Sequence, residues 1–218
     1  MKILDVPRSG SYQGLTSSRN RFGQYVRTRA TPVNPASTFQ DAVRARLAGG
    51  ASAWRLLTQT QREGWSSLGE FFQRTDSLGQ TYFLTGEQAF LSVRNNLLAA
   101  GDATLADAPL YAPPDAILTV TPTFSVAAQT VAFTPTPLGA GERIFVYMSP
   151  PRSAGRAFEG DVRLIQVSAA AGTSPVTVTT AYQARFGAPV VGQRIFVVVT
   201  RYKGGFVSQP LMTSAIVA

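Results

Sequence analysis

Gly141-Glu-Arg-Ile-Phe-Val-Tyr-Met148 and Gly192-Gln-Arg-Ile-Phe-Val-Val-Val199 are two versions of one octapeptide, fifty-one residues apart. Each opens on a glycine suited to a turn and runs into β-branched and aromatic residues, the composition of a central strand. Working outward, further short runs of the same kind lie at 116–121, 129–134, 162–168, 175–181 and 206–216, bounded by Pro and Gly. With the octapeptide strands at 143–148 and 194–201, that makes seven candidate strands and no helical period. The pattern predicts an all-β sandwich of immunoglobulin or fibronectin type III-like character over residues 115–218. Seven strands are too few for two complete domains, so the echo marks two equivalent positions within one sandwich.

Upstream the periodicity changes. Phe39, Val43 and Leu47 recur at helical spacing after Ser37, with Pro35 near the helix start, where a missing N–H costs little. Gly49-Gly50 is expected to loosen or end this helix, with 51–57 able to resume it. Thr58 with Gln61, and Thr85 with Gln88, match the capping box that opens a helix, and Gly101 is a C-terminal stop. Trp65, Leu68 and Phe71-Phe72 give the second helix its apolar residues; Ala89, Phe90, Val93 and Leu97-Leu98 give the third. Residues 81–84 read as a short extended piece between them. Residues 9–32 read as an extended arm or hairpin turning at Arg19-Asn20-Arg21; with three glycines and no clean alternation, it is expected to need a partner surface to become ordered. The expected organisation is α+β: a basic extended arm at 1–35, a small helical domain at 36–101, a linker at 102–114 and the β-domain at 115–218.

The formal charge is +8, and its location is informative. Residues 1–62 hold ten basic groups against two acids, Asp5 and Asp41, whereas the rest of the chain holds ten of each. Of the twenty basic residues eighteen are Arg, the side chain suited to bidentate pairing with carboxylate or phosphate. Arg19, Arg21, Arg27, Arg29, Arg44 and Arg46 are the candidate contacts to a partner or to phosphate. Trp54, Trp65 and Phe90 are read as core at the corner between helices. The chain has no Cys and no His, which removes disulfides, the usual zinc sites, thiol nucleophiles and histidine-based triads. Among the carboxylates, Glu63, Glu70 and Glu87 fall on expected helices and Glu142, Glu159 and Asp161 at expected turns, so no acid/base pair stands out. Gly49-Gly50 and Gly204-Gly205 lack the context of a phosphate loop. Neither a catalytic site nor a cofactor or metal is expected. After Lys203 no side chain ionises, and the C-terminal run is expected either to close its own sheet or to add as a strand to a neighbour.

Arg27-Thr-Arg-Ala-Thr-Pro-Val-Asn-Pro35, Phe39-Gln-x-Ala-Val-Arg-x-Arg-Leu47, Ala53-Trp-Arg-x-Leu-Thr-x-x-Gln-Arg-x-x-Trp65 and Leu84-Thr-Gly-x-Gln-Ala-Phe90 resemble a family of uncharacterised bacterial and phage-associated proteins. The resemblance covers roughly residues 10–112. It implies the order of basic arm, helices and C-terminal sandwich and an association with phage genes, and it supplies no active site.

These readings converge on a non-enzymatic structural protein of a phage virion or similar assembly, working through contacts of its arm and β-domain with copies of itself or other structural proteins. One alternative is a nucleic-acid-binding protein that tracks phosphates with the arm; another is a glycan- or ligand-binding adhesion module using loops of the β-domain. The polar start of the chain and the lack of a long apolar run predict synthesis in the cytoplasm, no membrane span and a final place in an assembled particle.

Overall fold

The computed structural model describes residues 9–31, 33, 36–75 and 79–218, with the backbone alone of Phe39. The expectations for Lys2, Asp5 and Arg8, the chain breaks at Pro32 and Asn34-Pro35, and the Phe39 member of the helical stripe lie outside the described residues. The chain is a mixture of helices and antiparallel sheets, and divides into two compact units, 1–44 and 45–218.

In the first unit, β1 (Gly10–Tyr12), β2 (Leu15–Asn20) and β3 (Gly23–Thr28) form an antiparallel meander in chain order. Arg21-Phe22 is the turn between β2 and β3, and Asn20 Oδ1 accepts the Phe22 N–H at 2.9 Å. Helix α1 (Thr38–Leu56) begins in this unit, where Ser37 Oγ accepts the Gln40 N–H at 3.3 Å.

The second unit opens with the remainder of α1, which is unbroken through Gly49-Gly50, contrary to the expected interruption. The reason is packing: a Cβ at Gly50 would lie 2.3 Å from Leu91 Cδ2, so the glycine permits a close approach to the next helices instead of ending its own. Helices α2 (Gln59–Gly69) and α3 (Gly86–Ala100) each start on the expected capping box, Thr58 with Gln61 and Thr85 with Gln88, and Gly101 in the left-handed conformation ends α3. Between them β4 (Gln73–Thr75) pairs with β5 (Thr81–Phe83). Trp65, Leu68, Ala89, Phe90, Val93 and Leu97 make the helical core.

Eight strands follow. β6 (Thr119–Phe124), β7 (Gln129–Thr134) and β10 (Val176–Thr177) form one sheet in the order β10-β7-β6. β8 (Glu142–Met148), β9 (Arg163–Val167), β11 (Arg194–Lys203), β12 (Phe206–Val207) and β13 (Leu211–Ile216) form the other, with β12 and β13 both paired to β11, then β8, then β9. The echoed octapeptides are therefore the adjacent antiparallel central strands β8 and β11. Strand alternation sends Ile144, Val146, Met148, Ile195, Val197 and Val199 into one cluster with Phe124, Val131 and Phe133 of the smaller sheet. The opposite face of β8 and β11 is covered too: Phe145 and Tyr202 stack at 5.0 Å and pack against Ala99 and Ala100 of α3. Burial on both faces explains why these strands read as continuous apolar runs.

Two expected strands require correction. Only 176–177 of the run at 175–181 is extended; helix α4 (Thr179–Phe186) follows, because Val178, Tyr182 and Phe186 share a helical stripe and Tyr182 is fully buried with its hydroxyl donating to the Ser149 carbonyl at 3.3 Å. The run at 206–216 is broken between β12 and β13, where the Ser208 hydroxyl accepts the Arg201 N–H at 3.0 Å and Pro210 offers no N–H. The uncharged C-terminal run pairs through β13 with β11 of its own chain.

The turn into β12 fastens helices to sheet. Phe206 is buried in the helical core, Asn96 Nδ2 donates to the Gly205 carbonyl at 2.8 Å, and a Cβ at Gly205, whose φ is +92°, would sit 2.6 Å from Val93 Cγ1. Phe206→Ala is therefore expected to cost about 3–5 kcal/mol in chemical denaturation; a loss below about 1 kcal/mol would show that the turn does not anchor the helices. A second prediction concerns Glu142, which accepts from Arg201 Nε at 2.9 Å and lies 3.5 Å from Lys203 Nζ. Burial pushes this carboxyl up, but the Arg201 hydrogen bond, the Gly139 N–H and the two cations together outweigh burial and hold it below the ordinary glutamate range. A depressed folded value means stabilisation that is complete above the unfolded pKa and lost as pH falls through the folded one. Glu142→Gln should lower stability at neutral pH and flatten the acid limb of a stability–pH curve; an unchanged acid limb contradicts the assignment.

Candidate interaction surfaces

The meander places the arm arginines by register. Leu15, Ser17 and Arg19 of β2 share a face with Gln24 and Val26 of β3, to which β1 adds Tyr12; Thr16 and Ser18 share the other with Tyr25 and Arg27. Arg19 and Arg27 thus point to opposite faces. Arg21 is in the turn, its guanidinium 4.6 Å from the Phe22 ring centre, and Arg29 follows β3 at the far end, its N–H donating to the Gly14 carbonyl at 2.7 Å. All four are exposed, and none forms an ion pair with a described residue. On α1, Arg44 pairs with Asp41 at 3.5 Å, and Arg46 lies about 200° around the helix from it. The four arginines of the meander therefore form no single patch.

No described side chain between residues 9 and 44 is buried. Tyr12 is 77% exposed and Phe22 64%, and Val43 and Leu47 of the helical stripe are also exposed. A sheet of three short strands with no covered face has little apolar burial to offset its ordering entropy.

The three residues read as core are placed together. Trp65 and Phe90 are fully buried and meet edge to face at 5.1 Å; Trp54 is half-buried, 5.7 Å from Phe90; and Trp65 Nε1 donates to the Ala106 carbonyl at 2.8 Å. Trp65 offers no free face of the kind base stacking needs.

In and beside the β-part, four carboxylates are held by cations. Asp102 accepts from Arg143 at 2.9 Å and from the Tyr202 hydroxyl, and burial with this partner pushes the Tyr202 hydroxyl well above its ordinary value. Glu159 pairs with Arg152 and Arg156, and Asp161 with Arg152 and Arg163. Among the described residues no three carboxylates gather in a way that could hold a metal ion, and no helix is long and apolar enough to cross a membrane.

A cleft that the sequence reading missed lies beside the Phe206 turn. Its volume is about 310 Å³. Phe71 stacks on Tyr111 at 5.1 Å, and Tyr111 meets Phe72 and Phe206 edge to face at 5.6 and 5.4 Å. Among the described residues Arg74 is the one charged side chain in the lining, and Gln73, Ser92, Asn96, Thr200 and Gln209 supply most of its polar groups. The signals were present in part: Thr200 interrupts the apolar run of β11, and Tyr111 stands alone in a segment read as linker.

No family model matches the chain, and neither does any curated protein.

Because Arg19, Arg21, Arg27 and Arg29 are exposed and form no ion pair with a described residue, replacing all four with Ser is expected to leave the unfolding free energy of the isolated chain within about 0.5 kcal/mol of the parent. A larger loss in thermal or chemical denaturation would show that these side chains hold the chain's own fold.

Proposed function

We propose that the chain is a non-enzymatic structural protein of a phage particle or a comparable assembly, in which the meander of residues 9–31 docks on a neighbouring subunit. The observation that carries this reading is the exposed meander: three strands whose outer edges pair with no described strand, no buried described side chain, and four arginines with no ion pair to a described residue. A neighbouring surface would supply what it lacks, covering Tyr12, Leu15 and Val26 on one face, extending the sheet at β1 or β3, and offering carboxylates to the guanidiniums. The resemblance of residues 10–112 to phage-associated proteins points the same way. Opposite faces and opposite ends of the meander carry the arginines, which fits several separate carboxylate contacts better than one phosphate track, so the nucleic-acid alternative is the weaker reading.

The C-terminal sheets are read as a fibronectin type III-like sandwich. Counting β6, β7, β8, β9, β10, β11 and β13 as first to seventh, the fifth, second and first share one sheet, and the seventh, sixth, third and fourth the other. In an immunoglobulin constant domain the fourth strand joins the first, second and fifth, so its position beside the third favours the fibronectin form. Residues 115–218 carry eight basic groups against four acids, so such a module keeps a positive balance of its own beside that of the arm.

Sedimentation of the full chain over a concentration series tests the assembly role. Association is expected at low salt, weakened about 100-fold when Arg19, Arg21, Arg27 and Arg29 are all changed to Glu, the loss if each exposed pair contributes about 0.7 kcal/mol. A chain that stays monomeric at every concentration, or whose association ignores these changes, would overturn the proposal.

A further inference from the structure

Beyond assembly, and independent of it, we propose that the cleft beside Phe206 binds a saccharide of one or two pyranose rings. At about 310 Å³ it falls at the small end of ligand sites, and it lies at the junction of helices and sheet, a common place for one. Its wall is a ladder of rings ending in Phe71, which is 59% exposed although its stacking on Tyr111 already holds it in place. A fixed, accessible aromatic ring of this kind suits the C–H face of a sugar.

The polar side chains narrow the class. Gln73, Arg74, Ser92 and Gln209 line the cleft and form no side-chain hydrogen bond with a described residue. Thr200 is 7% exposed and its hydroxyl is without a partner, an arrangement that native interiors avoid unless something else satisfies the group. Its position follows from the fold: the kink between β12 and β13 uses the Ser208 hydroxyl to satisfy the Arg201 N–H, leaving the Thr200 hydroxyl unmatched beside it. Amides and hydroxyls both donate and accept, as the adjacent hydroxyls of a sugar do. Among the described residues the lining has one guanidinium and no carboxylate, a set that matches neither a metal ion nor a polyphosphate but suits a neutral sugar or one bearing a single carboxylate.

The test is saturation-transfer NMR of the full chain, which tolerates large assemblies, against glucose, galactose, N-acetylglucosamine, glucuronic acid and their disaccharides at millimolar concentration. Transfer to the ring protons of at least one sugar is expected, with affinity falling about tenfold in Phe71→Ala and about fivefold or more in Thr200→Val, the loss of one stacking or hydrogen-bonding contact. Phe71 is exposed and Thr200→Val keeps the side-chain shape, so both variants should fold with the parent's circular dichroism. No transfer to any sugar of the panel, or transfer unchanged in both variants, would overturn the proposal.

Discussion

Strand β11 is covered on both faces, and most of the second unit depends on that constraint. One face contributes Ile195, Val197 and Val199 to the core shared with the smaller sheet; the other presents Tyr202, stacked on Phe145 and packed against the end of α3. Beyond Lys203 the chain turns sharply and drives Phe206 into the helical core. Helices and sheets are thereby made parts of one body, and the residues between them, with Trp65 bonded to Ala106 and Tyr111 wedged among Phe71, Phe72 and Phe206, are fixed in place. The aromatic cleft is a by-product of the same geometry. Where the chain leaves β11 at the Ser208 to Pro210 kink, the neighbouring Thr200 hydroxyl is left without a partner among the described residues.

The two units treat charge differently. In the β-part, Glu142, Glu159, Asp161 and Asp102 each meet one or more cations, although residues 115–218 hold eight basic groups against four acids. Around the meander, Arg19, Arg21, Arg27 and Arg29 have no such counterparts among the described residues, and the acid nearest in sequence after them, Asp41, is taken by Arg44. Four uncompensated guanidiniums on a sheet without a covered face are a poor investment for a free chain and a reasonable one for a chain that meets an acidic neighbour.

Local signals in the sequence were the most readable. Both capping boxes, the Gly101 stop and the Trp65–Phe90 core lie where Thr58, Thr85 and the helical periods placed them, because each depends on residues only a few positions apart. The octapeptide echo identified the two central strands, but not that their second face would be covered by a helix, since continuous apolar runs mark double burial without naming the cover. Helix α4 was missed although Val178, Tyr182 and Phe186 carry its period, hidden by Thr- and Val-rich flanks that resemble a strand. Gly50 misled for a related reason: glycine as a breaker and glycine as a contact point look alike until Leu91 is seen beside it. The cleft was illegible because its rings come from segments far apart in the chain and meet only after the β12 turn has formed.

Hydrogen exchange of the full chain, measured by mass spectrometry at dilute and at associating concentrations, tests the central claim most directly. If the meander is completed by a neighbour, the amides of Leu15–Thr28 exchange rapidly in the dilute chain and become protected on association, while those of β8 and β11 are protected in both. Protection of Leu15–Thr28 that is equally strong in the dilute monomer, or equally absent in the assembled state, would contradict it.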